Sequence, residues 1–274
     1  MSFFEKILDL GGKKQSAPPQ EIKKEKLDFF PSTPEEEILK SREKIGKEIL
    51  RGGANYSEHI KLKDDGSGIF KPKRGEKKRL RCVEGGTFYK RERAAYLVDK
   101  FLGFELVPPT IIREIEGEVG SFQQYIQDAK SGYEVDKNEI KMVEMIKMRV
   151  FDYIIWNTDR FGSNFLVKGK KLWAIDNGLS FCRESAANGF FPIGLNVLLN
   201  QYIPQEVIDK LEKFFSWDDG KKILKDLLLE LLDKDEVDAC FKRMEIITDL
   251  ISTDLIRKSK GAIPYEAKFE LAFD

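Results

Sequence analysis

The stretch that decides the reading is Asn157-Thr158-Asp159-Arg160-Phe161-Gly162-Ser163-Asn164, answered further along the chain by Ile175-Asp176-Asn177-Gly178. Upstream, residues 138–157 carry an apolar pattern at helical spacing that ends near Trp156, so Asp159 falls in the loop just beyond a long helix. Between Asn164 and Asp176, residues 164–167 and 172–175 flank Lys168-Gly169-Lys170 and predict a small hairpin. The hairpin returns Asp176 to the neighbourhood of Asp159 and Asn164. Two carboxylates and an amide then share one place. All are oxygen donors of the kind Mg²⁺ prefers, and no His or Cys stands among them to favour a softer metal. Phosphoryl transfer needs such a set: one Asp to orient a hydroxyl and accept its proton, an Asn and a second Asp to hold divalent metal on the phosphates. A plain capped loop, whose side chains only satisfy turn backbone, fits the same spacing.

Working outward, Lys71 ends an apolar segment in Gly68-Ile69-Phe70-Lys71-Pro72. A lysine there can reach phosphates if a carboxylate holds it, and Glu92, in Tyr89-Lys90-Arg91-Glu92-Arg93-Ala94-Ala95-Tyr96, is the candidate. The alternative is a solvated basic run of Lys71, Lys73, Arg74, Lys77, Lys78, Arg79 and Arg81. Gly52-Gly53-Ala54-Asn55-Tyr56-Ser57 can present backbone N–H groups to phosphate around Gly53 and Asn55, or its glycines can simply close the preceding helix. No Walker motif is present.

The remaining pattern predicts an α+β protein. Thr33-Pro34-Glu35-Glu36 opens a helix as N-cap, first residue and capping carboxylate. Ile38, Ile45, Ile49 and Leu50 extend its apolar stripe to Arg51-Gly52-Gly53. Strands follow at His59–Leu62 and Gly68–Phe70, with a turn at Lys63-Asp64-Asp65-Gly66-Ser67. A helix from Thr87 to Leu102 closes at Gly103, short strands come at Thr110–Glu114 and Ser121–Ile126, and the chain is mostly helical from Gln205 onward. The division expected is a flexible tail over 1–33, a small β-rich lobe over 34–126 and a helical lobe over 127–274.

Composition narrows the class. The chain has 274 residues with 47 Lys+Arg against 47 Asp+Glu, so no global charge draws it to nucleic acid. No apolar run approaches the roughly 20 residues of a membrane span. The beginning, Met1-Ser2-Phe3-Phe4-Glu5-Lys6, lacks the basic-then-apolar order of a signal peptide, which predicts a cytoplasmic protein. Cys82, Cys182 and Cys240 are odd in number and widely spaced, which suits a reducing compartment and makes no disulfide or metal pattern. Cys182 reads as a small buried filler. The single histidine, His59, reads as structural and excludes any mechanism that needs two.

Taken in order, Phe70-Lys71-Pro72, Arg91-Glu92 with Ala94-Ala95-Tyr96 and Asp99, Leu102-Gly103, Val107-Pro108-Pro109-Thr110, Gly120-Ser121-Phe122-Gln123, Asp159-Arg160 with Asn164, and Ile175-Asp176-Asn177-Gly178 resemble the atypical kinases related to phosphatidylinositol 3- and 4-kinases. Within that group the likeness is to the actin-fragmin kinase, the Golgi casein kinases and small bacterial kinase-like proteins. It covers about residues 52–182, with weaker helical similarity beyond. The resemblance implies a two-lobed protein-kinase-like fold with ATP and Mg²⁺ or Mn²⁺ between the lobes, transferring a phosphoryl group to Ser or Thr of a protein substrate. Lys71 would contact the α/β-phosphates and Glu92 would pair with it. Gln123, Gln124, Tyr125 and Ile126 would form the hinge against adenine. Asp159 would be the base, Asn164 a metal ligand and Asp176 the principal metal ligand. One position departs: relatives usually carry Asp-Arg-His where this chain has Asp159-Arg160-Phe161. The rival expectations are an inositol-lipid or sugar kinase, with the basic run in peripheral contact with a membrane, a nucleotide-binding pseudokinase or scaffold without turnover, and transfer of AMP.

Overall fold

The computed structural model describes residues 31–50, 56–182, 202–252 and 257–259. Its first helix, α1 (Pro34–Ser41), opens on the expected capping box: Thr33 Oγ1 accepts from the Glu36 N–H at 3.2 Å, and Glu36 Oε2 accepts from the Thr33 N–H at 3.0 Å. The helix stops at Arg42, whose backbone is extended. The stripe expected to continue it is instead a strand, β1 (Lys44–Leu50), antiparallel to β2 (Ser57–Leu62). Residues 45 and 49 share a face in either conformation, four apart on a helix and alternate on a strand, so their spacing does not discriminate. The environment decides. Ile45 and Ile49 stay 64% and 53% exposed, so no core rewards a helix, whereas β-branched residues suit the outer strand of a sheet.

The turn after β2 places Asp64 and Asp65 at positive φ and leads to β3 (Ser67–Pro72). A short hairpin, β4 (Arg79–Leu80) with β5 (Val83–Glu84), precedes α2 (Phe88–Leu102). The basic run is therefore split. Lys71 ends a central strand, while Lys73, Arg74 and Lys77 to Arg79 lie on the exposed connection.

Helix α2 is secured at both ends. The Glu76 carboxylate accepts from the N–H groups of Gly86, Phe88 and Tyr89, satisfying donors at its first turn. At its end Gly103 takes the left-handed conformation at φ 67°, and buried Asp99 accepts from the N–H groups of Leu106 and Val107. Burial pushes the Asp99 carboxyl up to about 7. Along its length, Arg93 and Lys100 both reach Glu36 of α1 at 2.7 Å, and Arg91 pairs with Glu236 at 2.6 Å.

Strands β6 (Thr110–Ile115) and β7 (Glu118–Gln124) form a hairpin whose turn, Glu116-Gly117, has positive φ at both residues, the twist-matched geometry. They complete an antiparallel five-stranded sheet in the order β1-β2-β3-β7-β6. One face buries Ile60, Leu62, Phe70, Ile111, Ile115 and Phe122 with Leu39 of α1. Lys71 and Gln123 alternate to the other face.

Beyond the sheet come β8 (Lys130–Ser131), α3 (Met142–Ile154), β9 (Phe165–Lys168) and β10 (Lys171–Ala174). The last two are the expected hairpin. Helix α3 starts later than its apolar pattern suggests, because residues Lys137–Glu139 form a separate 3-10 turn. Then follow β11 (Tyr202–Pro204), α4 (Gln205–Phe215), α5 (Asp218–Leu229), α6 (Lys234–Ser252) and β12 (Arg257–Ser259), which runs parallel to β11. The large core surrounds α3, where Phe151, Ile154 and Trp156 meet Leu172, Leu211, Leu224, Val237 and Met244. Met145 and Met148 belong to this core. An antiparallel sheet followed by a helical region is the α+β arrangement expected.

The cysteines require a correction. Cys82 and Cys182 form a disulfide with Cα atoms 5.9 Å apart, joining the β4–β5 hairpin to the segment after Asp176-Asn177-Gly178. Their separation of 100 residues conceals the pairing, since only the tertiary fold brings them together. Cys182 is buried, but as half of a cross-link rather than as a filler. Cys240 is buried as a thiol.

Candidate active site

The site is assembled from β3, α2, the loop after α3 and the loop after β10. Lys71 Nζ lies 2.5 Å from Glu92 Oε1 and 2.9 Å from Asp176 Oδ1. Burial pulls the Lys71 ammonium down, but the two carboxylates more than reverse this and hold it above its ordinary value. The same ammonium holds the Asp176 carboxyl below the usual carboxylate range. Glu92 is buried, and its second oxygen accepts from the Asn177 N–H at 2.9 Å. One glutamate thus fixes both the lysine and the backbone of the Asp176 loop. Asp176 itself sits at φ 55°, a conformation Asp tolerates better than most residues, with its side chain half exposed.

Asp159 and Asn164 meet in the loop beyond α3. Asn164 Nδ2 donates to the Asp159 carbonyl at 2.5 Å and to Asp159 Oδ2 at 3.0 Å. The Asp159 N–H donates to Asn157 Oδ1 at 2.8 Å. Burial raises the Asp159 carboxyl above its ordinary value, and Asp176 adds to the rise while Arg81 opposes it. Arg81 Nη2 is 2.5 Å from Asp159 Oδ1, and its guanidinium lies 5.8 Å from the centre of the Phe161 ring. The position that departs from the family pattern thus carries a cation on its aromatic face.

Arg160 binds the two loops together from beneath. It is fully buried, and its Nε and Nη2 grip both oxygens of Asp152 on α3 at 3.0–3.1 Å. Its Nη1 donates to the carbonyls of Asn164 at 2.5 Å and Ile175 at 2.6 Å, and Nη2 also donates to Asn177 Oδ1 at 2.5 Å. Sequence reasoning quoted Arg160 without a role, counted Arg81 only in the solvated basic run, and missed Asp152. A carboxylate within the apolar run of α3 was the available signal for Asp152, because a charge there needs a partner.

The structure brings Lys71, Glu92 and Asp176 into direct contact, and Asp159 and Asn164 into another. A small recess beside Lys71, Glu92 and Asp176 is lined also by Tyr56, Phe88 and Gly178. Of the expected hinge, Gln123 turns its amide to Thr110 Oγ1 at 2.8 Å, and the Gln124 N–H donates to the Pro109 carbonyl at 2.8 Å. The Tyr125 N–H donates to the Ser67 carbonyl at 3.1 Å and its ring packs against His59 with centroids 4.3 Å apart, while Ile126 is half-buried. Gly53 and Asn55 lie outside the described residues. Among the described residues no three His, Cys, Asp or Glu side chains converge as a metal cage, and no helix is long and apolar enough to cross a membrane.

The fold has counterparts of known structure. The Golgi casein kinase with Mn/ADP bound superposes with a TM-score of 0.52 at 16% identity, covering 78% of this chain and 73% of that one. This is a kinase-like fold. A second structure of the Golgi casein kinase gives 0.53 at 15% identity, over 80% of this chain and 75% of that one. The Helicobacter pylori proinflammatory kinase CtkA gives 0.53 at 12%, over 79% of this chain and 96% of that one. These identities speak for the fold alone. No family model matches the sequence. Protein Rv2133c of Mycobacterium tuberculosis is 28% identical over an alignment covering 40% of this chain and 52% of that protein, so the chain spans about half the length of the curated relative it matches.

Proposed function

We propose that the protein is an ATP- and divalent-metal-dependent phosphotransferase acting on a Ser or Thr hydroxyl of a protein. The observation that carries this is Lys71 held between Glu92 and Asp176, residues 21 and 105 positions away in the chain, beside a loop that joins Asp159 to Asn164. A capped loop has no use for a half-buried lysine shared by two carboxylates. The similar structures are those of a Golgi casein kinase and a proinflammatory kinase, and one of them holds Mn/ADP. The motif order supports a place among the atypical kinases related to phosphatidylinositol 3- and 4-kinases. It also supports a division into lobes at 34–126 and 127–274.

In this reading Lys71 holds the α/β-phosphates and Glu92 keeps it aimed at them. Asp159 orients the substrate hydroxyl and accepts its proton as the oxygen attacks the γ-phosphorus. Asn164 Oδ1 and Asp176 are hard oxygen donors that suit Mg²⁺ or Mn²⁺, with phosphate oxygens completing a shell that protein side chains alone leave open. Bound metal supplies neutralisation of charge on the transferring group. Arg160 sets the distance between the two loops by holding a carbonyl of each.

The test combines calorimetry of Mg-ATP with intact mass after incubation. Wild type should bind ATP only with metal, and Asp176→Ala should lose that dependence. Asp159→Asn should bind Mg-ATP within about twofold of wild type while transfer falls at least roughly 100-fold. A mass gain of phosphate rather than AMP is expected. Folded wild-type protein that fails to bind Mg-ATP would reject the proposal.

A further inference from the structure

The carboxylate proposed as the base carries a cation. Asn164 Nδ2 donates to Oδ2 while Arg81 pairs with Oδ1, so a guanidinium stands beside the oxygen that would take the hydroxyl proton and lowers its basicity. Arg81 occupies the first position of the two-residue turn between Leu80 and Val83, at the positive φ of 55° that such hairpin turns favour.

The next residue in the turn is tethered. Cys82 is bonded to Cys182, and the Cys182 end is firmly seated. The Phe181 N–H donates to the Ile155 carbonyl at 2.5 Å, and the Ser180 carbonyl accepts from Arg91 at 2.6 Å. A disulfide holds its two Cα atoms within about 7 Å of each other. Arg81 therefore remains within side-chain reach of Asp159 for as long as the bond exists. The hairpin that presents it has strands of only two residues each, too short to hold its place by pairing alone. Phe161 completes the seat by offering its ring to the guanidinium.

We propose that the Cys82–Cys182 disulfide is a thiol-operated latch: closed, it keeps Arg81 on Asp159 and the site idle, and its reduction releases the base. The inference rests on reading Asp159 as that base. The chemistry requires a dithiol reductant. One of its thiolates attacks a sulfur of the bond to give a mixed disulfide, and its second thiol displaces the protein thiolate. Two electrons and two protons pass to Cys82 and Cys182, which become thiols, and the reductant leaves as a disulfide.

The experiment compares oxidised and dithiothreitol-reduced full-length protein in two readouts, one independent of turnover. Hydrogen exchange of the amides of residues 159–164 should quicken about tenfold on reduction. Release of ADP from Mg-ATP should rise at least about 100-fold, the low end of what a positioned base contributes. Cys82→Ser should behave as reduced protein whether or not dithiothreitol is present. Arg81→Ala keeps the disulfide, so it tests the latch without disturbing the cross-link, and its oxidised form should turn over at the reduced wild-type rate. Equal exchange and equal turnover in the two redox states would overturn the latch, as would an oxidised Arg81→Ala protein as slow as oxidised wild type. Redox-dependent exchange with no ADP release in any sample would overturn the idle-base proposal through the phosphotransfer reading itself. Turnover without any redox response would overturn the latch alone.

Discussion

Replacing Asp152 by Asn isolates the support beneath the active site. The Asp152–Arg160 pair is fully buried on both sides, with Nε 3.1 Å from each carboxylate oxygen and Nη2 3.0 Å from one of them. Burial pushes the Asp152 carboxyl up and Arg160 pulls it down, so the intact pair gains little net stability from its charge. Removing one partner differs, because it strands a guanidinium with no access to water, at about 3–5 kcal/mol. Asn keeps one oxygen as acceptor, and Arg160 retains the carbonyls of Asn164 and Ile175 and the Asn177 amide oxygen, so the low end, about 3 kcal/mol, applies. Out of a total of about 5–15 kcal/mol, that is a large fraction. At this chain length it lowers Tm by roughly 6–12 °C. The assay is urea unfolding of wild type and variant with a common slope. A loss below about 1 kcal/mol at unchanged slope would refute the argument that Arg160 depends on Asp152 for its charge.

Three other outcomes follow from the same geometry. Lys71→Met should lower kcat by roughly 10²–10³, the scale of one lost electrostatic donor, with Mg-ATP affinity by calorimetry changing less than about tenfold. Glu36→Gln should cost about 2–3 kcal/mol in denaturant unfolding, because Arg93 and Lys100 lose their shared carboxylate but keep partial access to water. Burial pushes Glu36 up, yet Lys100 and Arg93 bring it down to about 2 from 4.5, so its stabilising contribution is complete above pH 4.5 and disappears as pH falls toward 2. Asp159 is raised by burial, so the acid limb of kcat/KM against pH should lie above the ordinary Asp value of 3.8, and a limb at or below that value would count against Asp159 as the base.

What the sequence made legible was set by local physics. The capping box at Thr33, the αL closure at Gly103 and the hairpin at 165–174 depend on neighbours in the chain and emerged where expected. The pairing of Lys71 with Glu92 was also foreseen, because a strand-end lysine demands a carboxylate. Strand β1 was not, since Ile45 and Ile49 satisfy both periodicities and only the sheet distinguishes them. The roles of Arg160, Asp152 and Arg81, and the disulfide, escaped for a common reason. Their roles are contacts between distant segments, and no spacing along the chain encodes which buried cation meets which carboxylate.

The anchoring of α2 has a consequence for ligand binding. With Glu76 at its first turn, Asp99 at its last, and Glu36 and Glu236 along its sides, the helix has no slack through which Glu92 could swing away from Lys71. Under the proposed function, the lysine would already be aimed before a nucleotide arrived, and binding would surrender little side-chain freedom at that point. The loss of freedom on loading would fall instead on the substrate.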